Sequence, residues 1–252
     1  MTNEIKIIHE QQIRINPIEC DFKQEWKPTA IFQHLTEVAG IHAEKLGVGF
    51  DFMYAQNLYW VHSRMKIKFL RLPHAGDTVL IRTWPKTILR RLLYIRDFEV
   101  LDTDGQRLIA ASSAWVIINA STHRLASPKS VNLNLPALED QIGLDEPLER
   151  IDLAESGVER LRVNAGYSSV DIVGHVNNSR YVEWICDAFP MAMYKEHNLD
   201  WMQINYEHEI LPGEEVSILV NPIDHEPGLW ALEGFNRTNG TRAFESLLHW
   251  RD

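Results

Sequence analysis

The hydrophobic positions along the chain fall into two series of elements that follow the same order. In the first half, EIKIIHEQQIRI reads as a strand, and Thr29 to about Leu46 places Ile31, Leu35, Val38, Ala39 and Leu46 on one helical face. Four strand-like runs follow: LYWVHSRMKIKFL, DTVLIRTW, LLYIRDFEVLD and QRLIAASSAWVII. In the second half RLRVNA is a strand. The stretch from Asn178 to about Tyr194 then carries Tyr181, Val182, Ile185, Ala188, Phe189, Ala192 and Met193 on one face. Pro190 must kink that helix or end its regular part, because it lacks a backbone donor and clashes with the preceding turn. Strands are expected again at DWMQINYEHEIL, EEVSILVN, GLWALEGFN and TRAFESLLHW. Asp104-Gly105 and Asn239-Gly240 mark matching hairpins.

The two halves also share local sequence. DTDGQRLIAASSAW ends at Trp115 and RTNGTRAFESLLHW at Trp250, so that Gly105, Arg107 and Trp115 recur as Gly240, Arg242 and Trp250 with one constant offset. Leu72-Pro73-His74-Ala75-Gly76 resembles Leu211-Pro212-Gly213 at a slightly larger one, as a small loop deletion would produce. A duplicated unit is the expectation. Strand, helix and four antiparallel strands, done twice, predict an α+β protein in which each long helix lies in a curved antiparallel sheet. The predicted division is an N-terminal unit over 1–135, an acidic, proline-containing linker over 136–157, and a C-terminal unit over 158–252.

Composition narrows the class without naming the chemistry. Of 252 residues, 45% are hydrophobic and 24% charged, an ordinary globular balance that excludes a mainly disordered chain. Lys and Arg number 25 against 35 Asp and Glu, a net charge of −10, which argues against a general nucleic-acid binder. Two cysteines, Cys20 and Cys186, are too few for a disulfide framework, so a reducing cytoplasm is expected. No apolar run reaches the roughly 18–20 residues of a membrane span. MTNEIKIIHEQ lacks the basic start and apolar core of a signal peptide.

The most unusual string is Asp171-Ile172-Val173-Gly174-His175-Val176-Asn177-Asn178, between a strand and the second helix. One reading is purely local: Asn177 or Asn178 as N-cap, Asp171 as a turn residue, Gly174 at positive φ. The other is catalytic. A helix start offers unpaired N–H groups to a carbonyl oxygen that becomes an oxyanion, with a carboxylate and an imidazole beside it.

Asp-x-x-Gly-His-Val-Asn-Asn leading into a helix resembles the active-site segment of hot-dog-fold thioesterases. The first half carries further matches in Leu46-Gly47-Val48-Gly49, Trp60-Val61 with Arg64, Thr83-Trp84-Pro85, Arg96-Asp97-Phe98, and Ser113-Ala114-Trp115 with Arg124. With these the chain resembles the acyl-acyl carrier protein thioesterases over nearly its whole length. The resemblance implies a tandem double hot-dog fold and hydrolysis of the thioester joining a fatty acyl chain to acyl carrier protein. No cofactor is expected, and no metal either, since Glu207-His208-Glu209 are consecutive strand residues whose side chains alternate faces. In that family the site uses Asp-x-Asn-x-His and a glutamate on a later strand. Asp171 and His175 match the segment's ends, and the glutamate falls on Glu209. The middle Asn is replaced by Val173, which cannot hydrogen-bond, so Asn177, or backbone N–H groups at the helix start including Asn178, would have to serve. Ile210 follows the glutamate where plant members have cysteine, which excludes a thiol nucleophile there.

Strict alternation puts Met202, Ile204, Tyr206 and Ile210 on the apolar face, with Glu207 and Glu209 on the other, unless a bulge turns Glu209. Two mechanisms stay open. Either Glu209 deprotonates water while Asp171 and His175 hold the thioester and the base, or Asp171 is itself base or nucleophile. His34, His42 and His62 are expected to be packing or surface residues. In the first half the nearest counterpart of the Gly-His string, Gln33-His34-Leu35-Thr36, sits inside a helical pattern, so one active site per chain is expected. The N-terminal unit would give its interior to the acyl chain, at about 0.8 kcal/mol per methylene buried. For an acidic carrier protein the candidate docking cations are Arg64, Lys66 and Lys68, on one face of a strand, with Lys86, Arg90 and Arg91 as a second cluster. The expected partner is acyl carrier protein, with no nucleic acid and no membrane, for a monomer or homodimer. An acyl-coenzyme A thioesterase and a non-hydrolytic acyl-thioester binder are the alternatives.

Overall fold

The computed structural model describes residues 6–126, 133, 135–153 and 157–252. Two residues of the strand expected over 4–15, and residues 154–156 of the expected linker, lie outside them. The chain divides into two compact units, Met1–Lys27 with Gln33–Leu148, and Pro28–Phe32 with Glu149–Asp252.

The N-terminal half of the chain runs β1 (His9–Arg14), α1 (Pro28–Lys45, of which 33–45 fall in the first unit), α2 (Phe50–Ala55), β2 (Leu58–Phe69), β3 (Thr78–Leu89), β4 (Leu93–Leu101) and β5 (Arg107–Asn119). Its strands are antiparallel in the order β1-β3-β4-β5-β2. The apolar stripe of α1 is buried at Ile31, Leu35, Val38 and Ala39, and its last turns are tied to the sheet through His42, which bonds Arg96 of β4. The second unit runs β6 (Val158–Asn164), α3 (Asn178–Asp187), α4 (Met191–Glu196), β7 (Asn198–Tyr206), β8 (Glu215–Pro222), β9 (Leu229–Asn236) and β10 (Thr241–Arg251), in the order β7-β10-β9-β8-β6. Helix α3 lies over β7 and β10: Tyr181 meets Tyr206 and Phe244 edge-on, each at 5.4 Å between ring centroids. Gly234 of β9 makes room for this packing, since a Cβ there would overlap the Phe244 ring.

As Pro190 requires, the regular helix ends before it, at Asp187, and a separate short helix starts after it. The buried face therefore ends at Phe189, leaving Ala192 exposed. One expectation is corrected. The strand predicted to Leu211 stops at Tyr206, because the N–H groups of Glu207 and His208 both donate to one carbonyl, Ala243 O, and the alternation breaks.

The duplication is visible in bonds as well as in order. Arg107 pairs with the buried Glu99 on the preceding strand, and Arg242 pairs with the buried Glu233 in the same way. The described residues of the expected linker are bonded to one sheet or the other. Residues 138–148 are held on the first sheet by Leu138 N–H to Pro85 O, Trp84 Nε1 to Gln141 O and Gly143 N–H to Asp97 Oδ2. Gln203 Nε2 donates to Glu149 O, and Leu153 N–H to Glu245 Oε1, in the second.

Candidate active site

The segment Asp171–Asn178 folds into a turn centred on its aspartate. Asp171 Oδ1 accepts the N–H groups of Val173 at 3.0 Å and His175 at 3.3 Å. The main chain closes the same turn, with Asp171 N–H to His175 O at 2.8 Å and Gly174 N–H to Asp171 O at 3.1 Å. Gly174 sits at φ +88°, the left-handed region that such a turn requires. Val173 and Ile172 point their apolar side chains into solvent.

Beyond the turn, Val176 N–H bonds to Ile210 O at 2.9 Å. That bond lays the turn against the stretch following β7 and brings His175 and Glu209 together, Nδ1 to Oε2 at 3.3 Å. Both side chains are partly open to solvent, 37% and 57% exposed. Of the two orientations open for Glu209, the turned one is found: after the break at Glu207 and His208 it reaches the imidazole. Glu207 turns toward Arg150 instead, at 3.8 Å.

Asn177 caps α3, its Oδ1 accepting Ser179 N–H at 3.0 Å and Ser179 Oγ at 2.7 Å. Its carbonyl oxygen is therefore occupied. Asn178 is the first helical residue, and among the described residues its N–H has no bonded acceptor, while its carbonyl takes the Tyr206 hydroxyl at 3.2 Å. Tyr181, one turn on, is a member of the site that sequence reasoning missed. Its hydroxyl bonds the Ile210 backbone, and burial pushes its pKa up, with Glu209, Asp171 and Glu214 adding in the same direction. The only cue was its place on the buried face, which any core residue shares. Among the described residues no cluster of three His, Cys, Asp or Glu side chains is arranged to hold a metal ion.

The first unit contains the same turn, at a place other than the one expected. Its counterpart is Asp21–Pro28, not Gln33–Thr36. Asp21 Oδ1 accepts Lys23 N–H at 2.8 Å and Glu25 N–H at 3.0 Å. Asp21 N–H donates to Glu25 O, Gln24 N–H to Asp21 O, and Trp26 N–H to Pro73 O. Gln24 takes the left-handed conformation that Gly174 takes in the second copy, at φ +65°. In this copy Glu25 stands where His175 stands and Leu72 where Glu209 stands. Lys27 makes no side-chain cap, and Pro28 has no N–H to offer. The signal available in the sequence was the equal spacing from each aspartate to the following helix. His34 serves structure instead, bonding Glu19 at 3.0 Å.

The three strand cations Arg64, Lys66 and Lys68 do not face open solvent together. Lys66 and Lys68 both pair with Glu146, at 2.5 and 2.6 Å, and Arg64 donates to Leu148 O. Lys86 is bound to the fully buried Asp97 at 2.8 Å. Arg90 and Arg91 are exposed at the tip of the β3–β4 hairpin, both at positive φ, and pair with no carboxylate among the described residues.

Comparison with known proteins gives this geometry a family. The acyl-ACP thioesterase N-terminal domain model matches residues 6–130, and the C-terminal domain model matches 152–251. The chain belongs to the acyl-ACP thioesterase family. A chloroplastic palmitoyl-acyl carrier protein thioesterase of Arabidopsis thaliana is 29% identical over 223 residues, covering 81% of this chain and 52% of the relative. The chain thus spans about half the length of the curated relatives it matches. The crystal structure of an acyl-ACP thioesterase from Bacteroides thetaiotaomicron is 28% identical, with a TM-score of 0.81, covering 97% of this chain and 98% of that one. The 12:0-ACP thioesterase from Umbellularia californica shares the fold at 21% identity, with a TM-score of 0.81 over 98% of each chain. The fold is the α+β hot-dog fold of this family, present twice in the chain.

Proposed function

We propose that the chain hydrolyses fatty acyl-acyl carrier protein to free fatty acid and carrier protein. The observation that carries this reading is the His175–Glu209 pair at the start of α3, in the family's domain order. With the Glu209 carboxylate 3.3 Å from Nδ1 and favouring the proton on that nitrogen, the His175 Nε2 lone pair is available to water. Water oxygen attacks the acyl carbonyl carbon while its proton passes to Nε2, and Glu209 stabilises the imidazolium that forms. The Asn178 N–H at the positive end of α3 stands ready for the developing oxyanion. Collapse breaks the carbon–sulfur bond, and His175 returns the proton to the departing pantetheine sulfur. Asn177 contributes by fixing the direction of the helix start. Its amide N–H groups, which bond no acceptor among the described residues, are the side-chain donors that stand in for the missing family Asn at Val173.

Acyl carrier protein is acidic, and this chain carries −10, so docking depends on local positive charge. Because Lys66 and Lys68 share the Glu146 carboxylate, a carrier using Arg64, Lys66 and Lys68 would have to compete with it. We assign the docking charge to Arg90 and Arg91 instead. Two arginines in left-handed backbone at a hairpin tip are an expensive choice where Asn-Gly would be unstrained, which points to a use for their charge.

The test is a comparison of kcat/KM for one acyl group on acyl carrier protein and on coenzyme A, with free fatty acid followed by mass spectrometry. Preference for the carrier-linked substrate is expected. Preference for coenzyme A, or binding with no acid released in a single turnover, removes the proposal.

A further inference from the structure

We infer that Asp171 is a positioning residue: it builds the turn that aims His175 and neither accepts the reacting proton nor carries the acyl group. This rests on the hydrolytic reading above, and it decides between the two roles the sequence leaves open for the aspartate.

The first line of argument is local. His175 is gripped by Asp171 on both sides of its backbone. Its N–H donates to Asp171 Oδ1, and its carbonyl accepts from Asp171 N–H. The carboxylate also holds Val173 N–H, so the whole loop from 171 to 175 hangs on one oxygen. A short side-chain acceptor two and four residues before the donors is what an Asx-type turn needs, and aspartate or asparagine supplies it equally well.

The second line is independent and comes from the duplicated copy. Asp21 makes the same two side-chain bonds, and the same two main-chain bonds close its turn. Yet that copy has a glutamate in the imidazole position, a leucine in the glutamate position and a proline at the first helical residue. It has no proton acceptor paired with a glutamate and no N–H at that residue for an oxyanion. The aspartate therefore performs its bonding task in a turn that lacks all three of these groups. The same task in the second copy accounts for Asp171 without a role in bond making.

The substitution that separates the two roles is Asp171→Asn, which keeps Oδ1 as an acceptor and removes the charge. D171N is expected to retain most of the turnover of the unaltered chain, whereas D171A drops kcat by about 10²-fold, the scale of loss from misplacing a catalytic group, with KM little changed. D21A serves as the matched control: it lowers Tm about as much as D171A does and leaves kcat alone. A structural role without aiming would move Tm in both and kcat in neither. D171N as inactive as D171A, at unchanged Tm, overturns the inference. Two readouts cover a D171N that folds poorly. Amide exchange at Val173 and His175 is expected to be fast in D171A and slow in the unaltered chain, and equal rates overturn the turn-building role. Repeated turnover of the unaltered chain in ¹⁸O water is expected to leave the Asp171 peptide unlabelled, and label there shows an acyl-aspartyl intermediate and overturns it too. Should the unaltered chain release no fatty acid from acyl carrier protein, it is the hydrolytic reading that fails, and the exchange data still report on the turn.

Discussion

His175 and Glu209 come from segments far apart in the chain and meet because one backbone bond, Val176 N–H to Ile210 O, fixes how those segments run past each other. The pair is expected to act as one unit. His175→Ala and Glu209→Ala should each lower kcat/KM by roughly 10²–10⁴-fold, the range of general base catalysis. The double variant should be little worse than the poorer single one, because removing either partner already disables the other. Additive losses in steady-state kinetics would mean the two side chains act separately. Asp171 and His175 were legible in the sequence because their string is unusual and stands before a helix. Glu209 was legible only through the resemblance, since alternation from Tyr206 pointed it the wrong way. The shared carbonyl at Ala243 that breaks the alternation involves a strand more than thirty positions away, which no local pattern records.

At the scale of elements, α3 depends on its cap and on the space beneath it. Asn177→Ala removes the acceptor for Ser179 N–H and should cost about 1 kcal/mol of stability. It should also lower kcat, because the first turn of the helix frays where Asn178 offers its N–H. Thermal melts and kinetics on the same preparation check both parts. Gly234→Ala places a methyl group against the Phe244 ring on which Tyr181 packs, and should destabilise by about 1–3 kcal/mol. Most of the element order was readable: both main helices, the hairpins at Gly105 and Gly240, and the break at Pro190 follow from periodicity and from two residue types with special backbones. The short α2 was not, because Phe50–Ala55 has too few residues to show a helical period.

For the molecule as a whole, the distribution of charge and buried base yields two further expectations. Burial, helped by the cationic Arg96, holds His42 down to about 4 from 6.5, and burial holds His62, stacked on Trp115 at 4.2 Å, down to about 3. Besides Arg96, His42 faces His9, Lys45 and the Lys6 carbonyl. Both histidines stay neutral in the folded chain while the unfolded chain protonates them. Stability is therefore full above about 6.5 and falls as pH drops toward 4. His42→Gln, which can still accept from Arg96, should flatten that fall, read as the difference in Tm between neutral and mildly acidic buffer; an unchanged slope would acquit His42. Arg90→Glu with Arg91→Glu should raise KM for the carrier-linked substrate and leave KM for the coenzyme A thioester unmoved. An equal effect on both substrates would place those arginines elsewhere than in docking.

The sequence by itself determined the alternation of strands and helices, their repetition in two halves, and the string that starts the second helix, because each is written in spacing that a local backbone must obey. Only the tertiary structure decided that Glu209 reaches His175, that Glu146 occupies Lys66 and Lys68, and that Asp21 builds the same turn as Asp171. Those outcomes depend on which distant backbone donors and acceptors pair. Hydrogen bonds and ion pairs of that kind are satisfied across space rather than along the chain.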